Sequence, residues 1–335
     1  MYPLNIPLQE KQFQVWLDCL MEPELQSLRH PLLTEMQVEL CVLRTDNVHP
    51  VISGNKAYKL KYNLKAALER GASGVLSFGG AWSNHLHALA YSCHLLQLPC
   101  VAVIRGEQEL AAKSAMLQDL KVWGTQLYFI SRKEYRQRNN PDWLEQLTRE
   151  YPGYFVVPEG GSSALATPGI AELSRQLECK CDQKNWQADQ VWCAVGTGGT
   201  LAGLITGRTK NYQIIGVPVL KGGEFLTCDI NERLLAGSDS GIEKKNWKLL
   251  FDGHFGGYGK APPDLIRQIT QLSEGLETFN PGLSLTLDPV YTGKLFCRFW
   301  QSLQAGEFRK GCRILLIHSG GLQGRRGYGL SAAVA

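Results

Sequence analysis

Ser53-Gly54-Asn55-Lys56-Ala57-Tyr58-Lys59-Leu60 places a lysine where a glycine turn meets a helix. One helix-length later, Ser77-Phe78-Gly79-Gly80-Ala81-Trp82-Ser83-Asn84-His85 ends an apolar strand in two glycines. Ser83 and Asn84 then stand at the start of the next helix. Between these pieces, Leu60, Leu64, Ala67 and Leu68 recur at helical spacing over 58–70. Leu86, Leu89, Ala90 and Cys93 line one face of a helix that stops before Pro99. Working outward, apolar runs at 38–44, 74–78, 100–104, 126–130, 154–157, 191–195, 213–217 and 313–317 alternate with helical patterns. Strands that read as continuous apolar runs are covered on both faces. The expected class is therefore α/β, with mainly parallel sheets flanked by helices. Two strand–helix series stand apart, one from about 54 to 160 and one from about 164 onward. The residues alone leave the stretch 8–44 unassigned to either.

The 335 residues suffice for two lobes, and 20% charged with 44% hydrophobic residues is an ordinary globular balance. A net charge of +4, evenly spread, gives no footprint for nucleic acid. The basic pairs Arg325-Arg326 and Lys244-Lys245 read as solvated surface. No apolar run approaches the roughly 18 residues of a spanning helix, so no membrane partner is expected. Met1-Tyr2-Pro3-Leu4-Asn5 has neither the basic nor the apolar region of a secretion signal. The ten cysteines are scattered, several in apolar strands, as are Cys41, Cys193 and Cys312. Cys179-Lys180-Cys181 lacks a second pair to complete a zinc site. Reduced thiols, no metal and a cytoplasmic location are the expectation.

Lysine is the amine that condenses with the carbonyl of pyridoxal phosphate (PLP). If a helix begins near Lys56, Lys59 shares its face, and a second ammonium nearby lowers the pKa of the first. Ser83 and Asn84 follow Gly79-Gly80 at a strand's C-terminal end, where open α/β sheets bind ligands. An asparagine amide there can bond the phenolic oxygen of PLP. A serine hydroxyl can touch a substrate carboxylate, although either residue also makes a good helix cap. Val195-Gly196-Thr197-Gly198-Gly199-Thr200-Leu201 follows an apolar strand and opens a helix, an anion cradle of backbone amides and hydroxyls. A dinucleotide site would need glycine where Leu201 stands, and a ribose-binding acid about twenty residues on. The first acid downstream is Glu224, so a phosphate monoester fits better. His85 and His87 face different sides of a helix and read as packing residues. No Gly-x-Ser-x-Gly elbow or His-Glu-x-x-His zinc motif occurs.

These segments, with Asp288-Pro289-Val290-Tyr291-Thr292-Gly293-Lys294 and Gly256-Gly257-Tyr258-Gly259-Lys260, resemble the 1-aminocyclopropane-1-carboxylate deaminase and D-cysteine desulfhydrase family. Its members are PLP enzymes of fold type II, the tryptophan-synthase-β fold. The resemblance runs from about Arg44 to Gly321, with the segments in family order. It implies a large PLP-binding domain of 1–52 with 161–335, a smaller α/β domain of 53–160, and the cofactor in the cleft between. It implies that Lys56 carries PLP, that Lys59 lies in the active site, and that Asn84 and Gly196, Thr197, Gly198, Gly199 and Thr200 bind the cofactor. Tyr291 would stack near the ring and move protons, with Ser83 and Tyr258 assisting in catalysis. Thr292 would sit where deaminases usually carry a glutamate for the pyridine nitrogen and desulfhydrases a threonine. A hydroxyl makes the ring a weaker electron sink, which favours elimination of a good leaving group over cyclopropane opening.

The resemblance therefore implies a lyase or hydrolase acting on a small amino acid. D-cysteine would yield pyruvate, sulfide and ammonia in a homodimeric enzyme. The alternatives are 1-aminocyclopropane-1-carboxylate deamination to 2-oxobutyrate and ammonia, and PLP binding without turnover. Glu159-Gly160-Gly161-Ser162-Ser163 resembles the family's interdomain hinge, with a structural role, and His318-Ser319-Gly320-Gly321 closes the pocket through its backbone. Departures lie in the short approach Arg44-Thr45-Asp46-Asn47-Val48-His49-Pro50 and in Trp82, expected to add bulk beside the substrate carboxylate.

Overall fold

The computed structural model describes residues 8–236 and 246–331. Lys244-Lys245 and the first five residues lie outside the described residues. The eight expected apolar runs all form strands. They are joined by two more, so the described strands are β1 (Glu24–Leu28), β2 (Val38–Arg44), β3 (Gly74–Gly79), β4 (Cys100–Arg105), β5 (Gln126–Ile130), β6 (Tyr154–Val157), β7 (Gln190–Val195), β8 (Gln213–Pro218), β9 (Trp247–Leu249) and β10 (Cys312–His318). One sheet runs β1-β2-β10-β7-β8-β9 and the other β5-β4-β3-β6. Every pairing is parallel except β1 with β2. The additional strands have physical reasons for carrying a weak signal. β1 is an edge strand in which polar and buried residues mix, and β9 is only three residues long. The stretch 8–44 joins the larger sheet, because β2 pairs with β10 from Val38↔Cys312 to Arg44↔His318.

Helices cover both faces of these sheets, as continuous apolar strands require. Helix Asn55–Glu69 buries Leu60, Leu64 and Ala67 in a cluster with Ile170 and Leu173 of helix Ala166–Gln183. The two helices approach closely because residue 169 is glycine. A Cβ there would come 2.0 Å from the Tyr58 carbonyl oxygen. Lys61 Nζ–Glu172 (2.6 Å) and Tyr58 Oη–Gln176 (2.7 Å) add polar links between them. A second cluster packs Leu265, Ile269, Leu295, Phe296 and Phe299 against the opposite face of the larger sheet. All ten cysteines are free thiols, and Cys41, Cys193 and Cys312 are buried as expected.

The pair Arg325-Arg326 departs from a solvated surface role. Arg325 Nη1 donates to the Leu287 carbonyl (2.6 Å), and Arg326 Nη2 pairs with Asp119 (2.5 Å). The two arginines tie the C-terminal segment to the loop before helix Thr292–Gln304 and to helix Ala115–Val122, which carries Asp119. Among the described residues no helix is long and apolar enough to cross a membrane, and no cluster of His, Cys, Asp and Glu suits a metal.

Candidate active site

The C-terminal ends of β3, β7 and β10 open onto one cleft of about 410 Å³ between the two sheets. Three glycine-bearing turns bring its walls together. Gly54, at φ +72°, starts helix Asn55–Glu69, and a Cβ there would lie 1.9 Å from the Ser319 carbonyl oxygen. The tight β10 exit and the lysine-bearing turn therefore touch backbone to backbone. A Cβ at Gly321 would meet the Asn84 amide at 2.2 Å, and one at Gly196 the Tyr291 ring at 3.2 Å.

Lys56 and Lys59 both line the cleft. Lys56 Nζ donates to Asn55 Oδ1 (3.0 Å), and Asn55 Nδ2 donates to Thr200 Oγ1 (2.7 Å). Lys59 Nζ reaches Ser162 Oγ (3.0 Å), which bonds Thr197 Oγ1 (2.6 Å). Each lysine is thus coupled through one polar residue to one threonine of the glycine loop. Burial lowers the Lys56 amine to about 8, with Asp288 partly opposing the shift. Lys59 falls well below its ordinary value, through burial first and then the charges of Lys56 and Arg233. From sequence, the neighbouring ammonium is expected to lower Lys56. The repulsion instead falls on Lys59, which is the more enclosed of the two.

About a tenth of the Lys56 amine is therefore neutral at pH 7, far more than for an ordinary lysine, and the fraction grows with pH. If Lys56 is the condensing amine, cofactor attachment to the cofactor-free protein should accelerate about tenfold per pH unit below 8 and level off above it. Stopped-flow absorbance checks this. A rate still climbing above about pH 10 would mean an ordinary, exposed lysine.

Helix Gly199–Gly207 begins after Gly198 at φ +79°, so its first amides, which lack intrahelical partners, face the cleft. A Cβ at Gly199 would stand 3.0 Å from Ser162 Oγ and 3.3 Å from Lys59 Nζ. Only glycine leaves that space to an anion. Thr197, Thr200 and the Lys59 amine supply further donors, so the cradle fits a phosphate. Ser83 caps helix Asn84–Leu95 by accepting from Leu86 N–H (3.2 Å), yet it also lines the cleft beside Gly80. The capping and site readings hold together. Asn84 Oδ1 accepts from Gln323 Nε2 (2.5 Å), which leaves its amide N–H groups for the cleft.

Tyr291 lines the cleft with Tyr258, their rings 6.1 Å apart and edge to face. Burial, then Tyr258, pushes the Tyr291 hydroxyl well above its ordinary value, which keeps it a proton-bearing phenol. Lys294, wholly buried, holds the Tyr258 loop by donating to the Gly257 carbonyl (2.6 Å). Thr292 is placed differently from the expectation. It does not line the cleft; its hydroxyl donates to Asp288 Oδ1 (2.6 Å) and accepts from Asp288 N–H (3.0 Å). The Asp288 carboxylate also accepts from the amides of Val290, Tyr291 and Thr292, each at 2.8 Å. This capped turn consumes both side chains in starting helix Thr292–Gln304. Trp82 also departs from expectation. Its indole packs against Gly327, away from the cleft lining.

Ser162 and Glu159, expected at a structural hinge, both line the cleft. Glu159 is held by Arg138 Nε (2.6 Å) and Tyr135 Oη (2.7 Å). Arg105 and Arg233, on the same walls, carry no sequence signal, because isolated arginines in helical or strand patterns look like surface. His85, expected as a packing residue, lines the cleft while nearly fully buried, and its tautomer is definite. Ser77 gives its one proton to the Val157 carbonyl (2.7 Å), so His85 Nε2–H donates to Ser77 (2.7 Å). Burial first, then Lys56 and Lys59, hold its imidazole neutral, and Nδ1 is buried without a partner.

The family model described as pyridoxal-phosphate dependent enzyme matches residues 27–320. A putative 1-aminocyclopropane-1-carboxylate deaminase of Pyrococcus horikoshii is 32% identical over 307 residues, 88% of either chain. The bifunctional D-cysteine desulfhydrase/1-aminocyclopropane-1-carboxylate deaminase of Arabidopsis thaliana, a mitochondrial protein, is 28% identical over 85% of this chain and 73% of that one. The crystal structure of an ACC deaminase homologue superposes with a TM-score of 0.76 at 26% identity, covering 98% of both chains. Diaminopropionate ammonia lyase of Escherichia coli shares the fold at a TM-score of 0.64 and 13% identity, over 98% of this chain and 95% of that one. The names of the relatives speak of deaminases and a desulfhydrase, and the hydrolase label is accordingly dropped.

Proposed function

The chain belongs to the family of pyridoxal-phosphate dependent enzymes and uses that cofactor, and from this premise we propose that it eliminates sulfide from D-cysteine, giving pyruvate and ammonia. When bound, PLP supplies an electron sink for negative charge developing at the substrate α-carbon. The carrying observation is the turn at Asp288–Thr292. Thr292 and Asp288 are engaged with each other and with backbone amides, so this turn offers no free carboxylate to the cofactor face. The acids in the cleft lining are Glu159, held by Arg138 and Tyr135, and Asp229. Without a free acid from this turn to retain a pyridinium proton, the bound cofactor would draw electrons weakly. That suits a β-thiol, which leaves readily, better than a carbon–carbon bond.

Within this reading Lys56 condenses with the carbonyl and later moves the α-proton, with its amine near 8 suited to both roles. Lys59 and Thr197 share Ser162 and serve the phosphate, with Gly196, Gly198, Gly199 and Thr200 completing the cradle. Asn84 contacts the phenolic oxygen, and Ser83 with the Gly80 turn receives the substrate carboxylate. Tyr291 delivers a proton to the departing sulfur, with Tyr258 across from it. The cleft is formed between a 53–160 domain and a 1–52 with 161–335 domain, in a cytoplasmic homodimer. Sedimentation at twice the 37.2 kDa chain mass checks the dimer.

A 1-aminocyclopropane-1-carboxylate deaminase remains the second reading, favoured by the name of the Pyrococcus relative. Supplying D-cysteine, L-cysteine and 1-aminocyclopropane-1-carboxylate to the purified protein separates the two. Sulfide and pyruvate from D-cysteine should form at least about tenfold faster than 2-oxobutyrate from the cyclopropane. The reverse order would make the protein a deaminase.

A further inference from the structure

Arg233 stands out because the cleft gives it a like charge for a neighbour and no acid for a partner. It lies on helix Leu226–Ala236, whose Ile230, one turn earlier, packs on the glycine loop 2.9 Å from where a Gly198 Cβ would be. Arg233 lines the cleft, and among the described residues its Nη1 reaches only the Ser162 carbonyl, at 3.4 Å. Its Nε is buried without a partner. Asp229, four residues before it and also on the cleft, is at ion-pair spacing on the helix, yet no ion pair joins them. Glu159, across the cleft, is held by Arg138 and Tyr135. Arg233 meanwhile repels Lys59, whose amine is pushed down in part by that charge.

A guanidinium, a lysine amine and the N-terminus of a helix thus converge on one loop with no carboxylate between them. A doubly charged anion seated there reverses the sign of each repulsive contribution. We propose that Arg233 is a further ligand of the cofactor's phosphate, joining Lys59 at the glycine loop and fixing the depth at which the cofactor sits. A guanidinium suits the task because its fork can hold two phosphate oxygens at once. Ser162 is common to both side chains, its hydroxyl taken by Lys59 and its carbonyl by Arg233, so one residue links the two beside the loop.

This inference rests on the glycine loop being the phosphate site, and the experiment separates the two. Cofactor-free protein is titrated with PLP and, separately, with pyridoxal, which lacks the phosphate. Arg233→Gln should raise the Kd for PLP about tenfold, the loss of one charge-assisted pair, and leave that for pyridoxal unchanged. Arg233→Lys should fall between. The steep salt dependence of PLP binding should flatten in Arg233→Gln. Thr197→Val is the companion variant, since it removes a loop hydroxyl and leaves Arg233 intact. If Thr197→Val weakens PLP selectively and Arg233→Gln does not, the arginine is no phosphate ligand and the loop reading stands. If neither variant discriminates PLP from pyridoxal, the phosphate lies elsewhere and both readings fall. Equal losses for PLP and pyridoxal in Arg233→Gln would reduce the residue to a structural one. Pyridoxal binding also reports that each variant is folded.

Discussion

Lys56→Ala should abolish turnover, by about four orders of magnitude or more, while leaving the protein folded. The residue loses two functions at once, since the same amine condenses with the cofactor and moves the α-proton. Removing one positioned acid–base group typically costs 10²–10⁴-fold, and losing the nucleophile as well places the effect at the upper end. Lys59 is not placed to substitute. Its amine is held by Ser162 (3.0 Å) and the Gly160 carbonyl (3.5 Å), beside the glycine loop rather than at the Asn55 turn. The side chain of Lys56 makes one hydrogen bond, to Asn55, so its truncation removes little that holds the fold. Sulfide and pyruvate release, measured beside a thermal melt, checks the prediction. A variant that keeps its melt and more than about a hundredth of its turnover would assign the chemistry to another group.

Gly54→Ala should cost about 3 kcal/mol or more and take the site down with the fold. A non-glycine residue at φ +72° carries strain of about 1–3 kcal/mol, and forcing a methyl into closed space costs a similar amount. The obstruction is the backbone of a single peptide, with the Ser319 carbonyl oxygen at 1.9 Å and the Gly320 nitrogen at 2.7 Å, which no rotamer relieves. Relief would separate the Lys56 turn from the end of β10 and open the cleft. Gly71 supplies the comparison, because it has φ +61° with nothing within 4 Å of its Cβ position. Gly71→Ala should lose only the strain, about 1 kcal/mol. Urea midpoints for the two variants test this, and equal losses would contradict the steric account.

Much of this molecule can be read from its sequence because its central strands are buried on both faces. Such strands must be apolar throughout, and the partly buried edge strands β5 and β6 also carry apolar runs, so all eight are visible with ends within one residue. β1 and β9 have no such requirement. β1 sits at an edge with Glu24 and Ser27 exposed, and β9 joins by a three-residue bridge. The site residues legible in the chain are those bound to local geometry. A glycine turn before Lys56, two glycines before Ser83, and a glycine loop before Thr200 leave marks in the chain because backbone there must pass close to its neighbours or leave room for an anion. Ser162, Glu159, Arg105 and Arg233 enter the cleft only through tertiary folding, and no local rule marks them.

Thr292 teaches the converse. Its position beside Tyr291 is legible, but its hydroxyl answers to Asp288, four residues back, and capping prevails over the cleft. Trp82 likewise answers to Gly327, far along the chain, a contact that no reading of its own segment could supply.

The central claim is that Lys56 carries the cofactor, and trapping that linkage tests it most directly. The holoenzyme is treated with borohydride, which fixes a pyridoxyl group on whichever amine holds it, then digested and mapped by mass spectrometry. The modification should fall on Lys56 alone and be absent from Lys56→Ala. A pyridoxyl group on Lys59, on Lys294 or on a lysine outside the cleft would contradict the account.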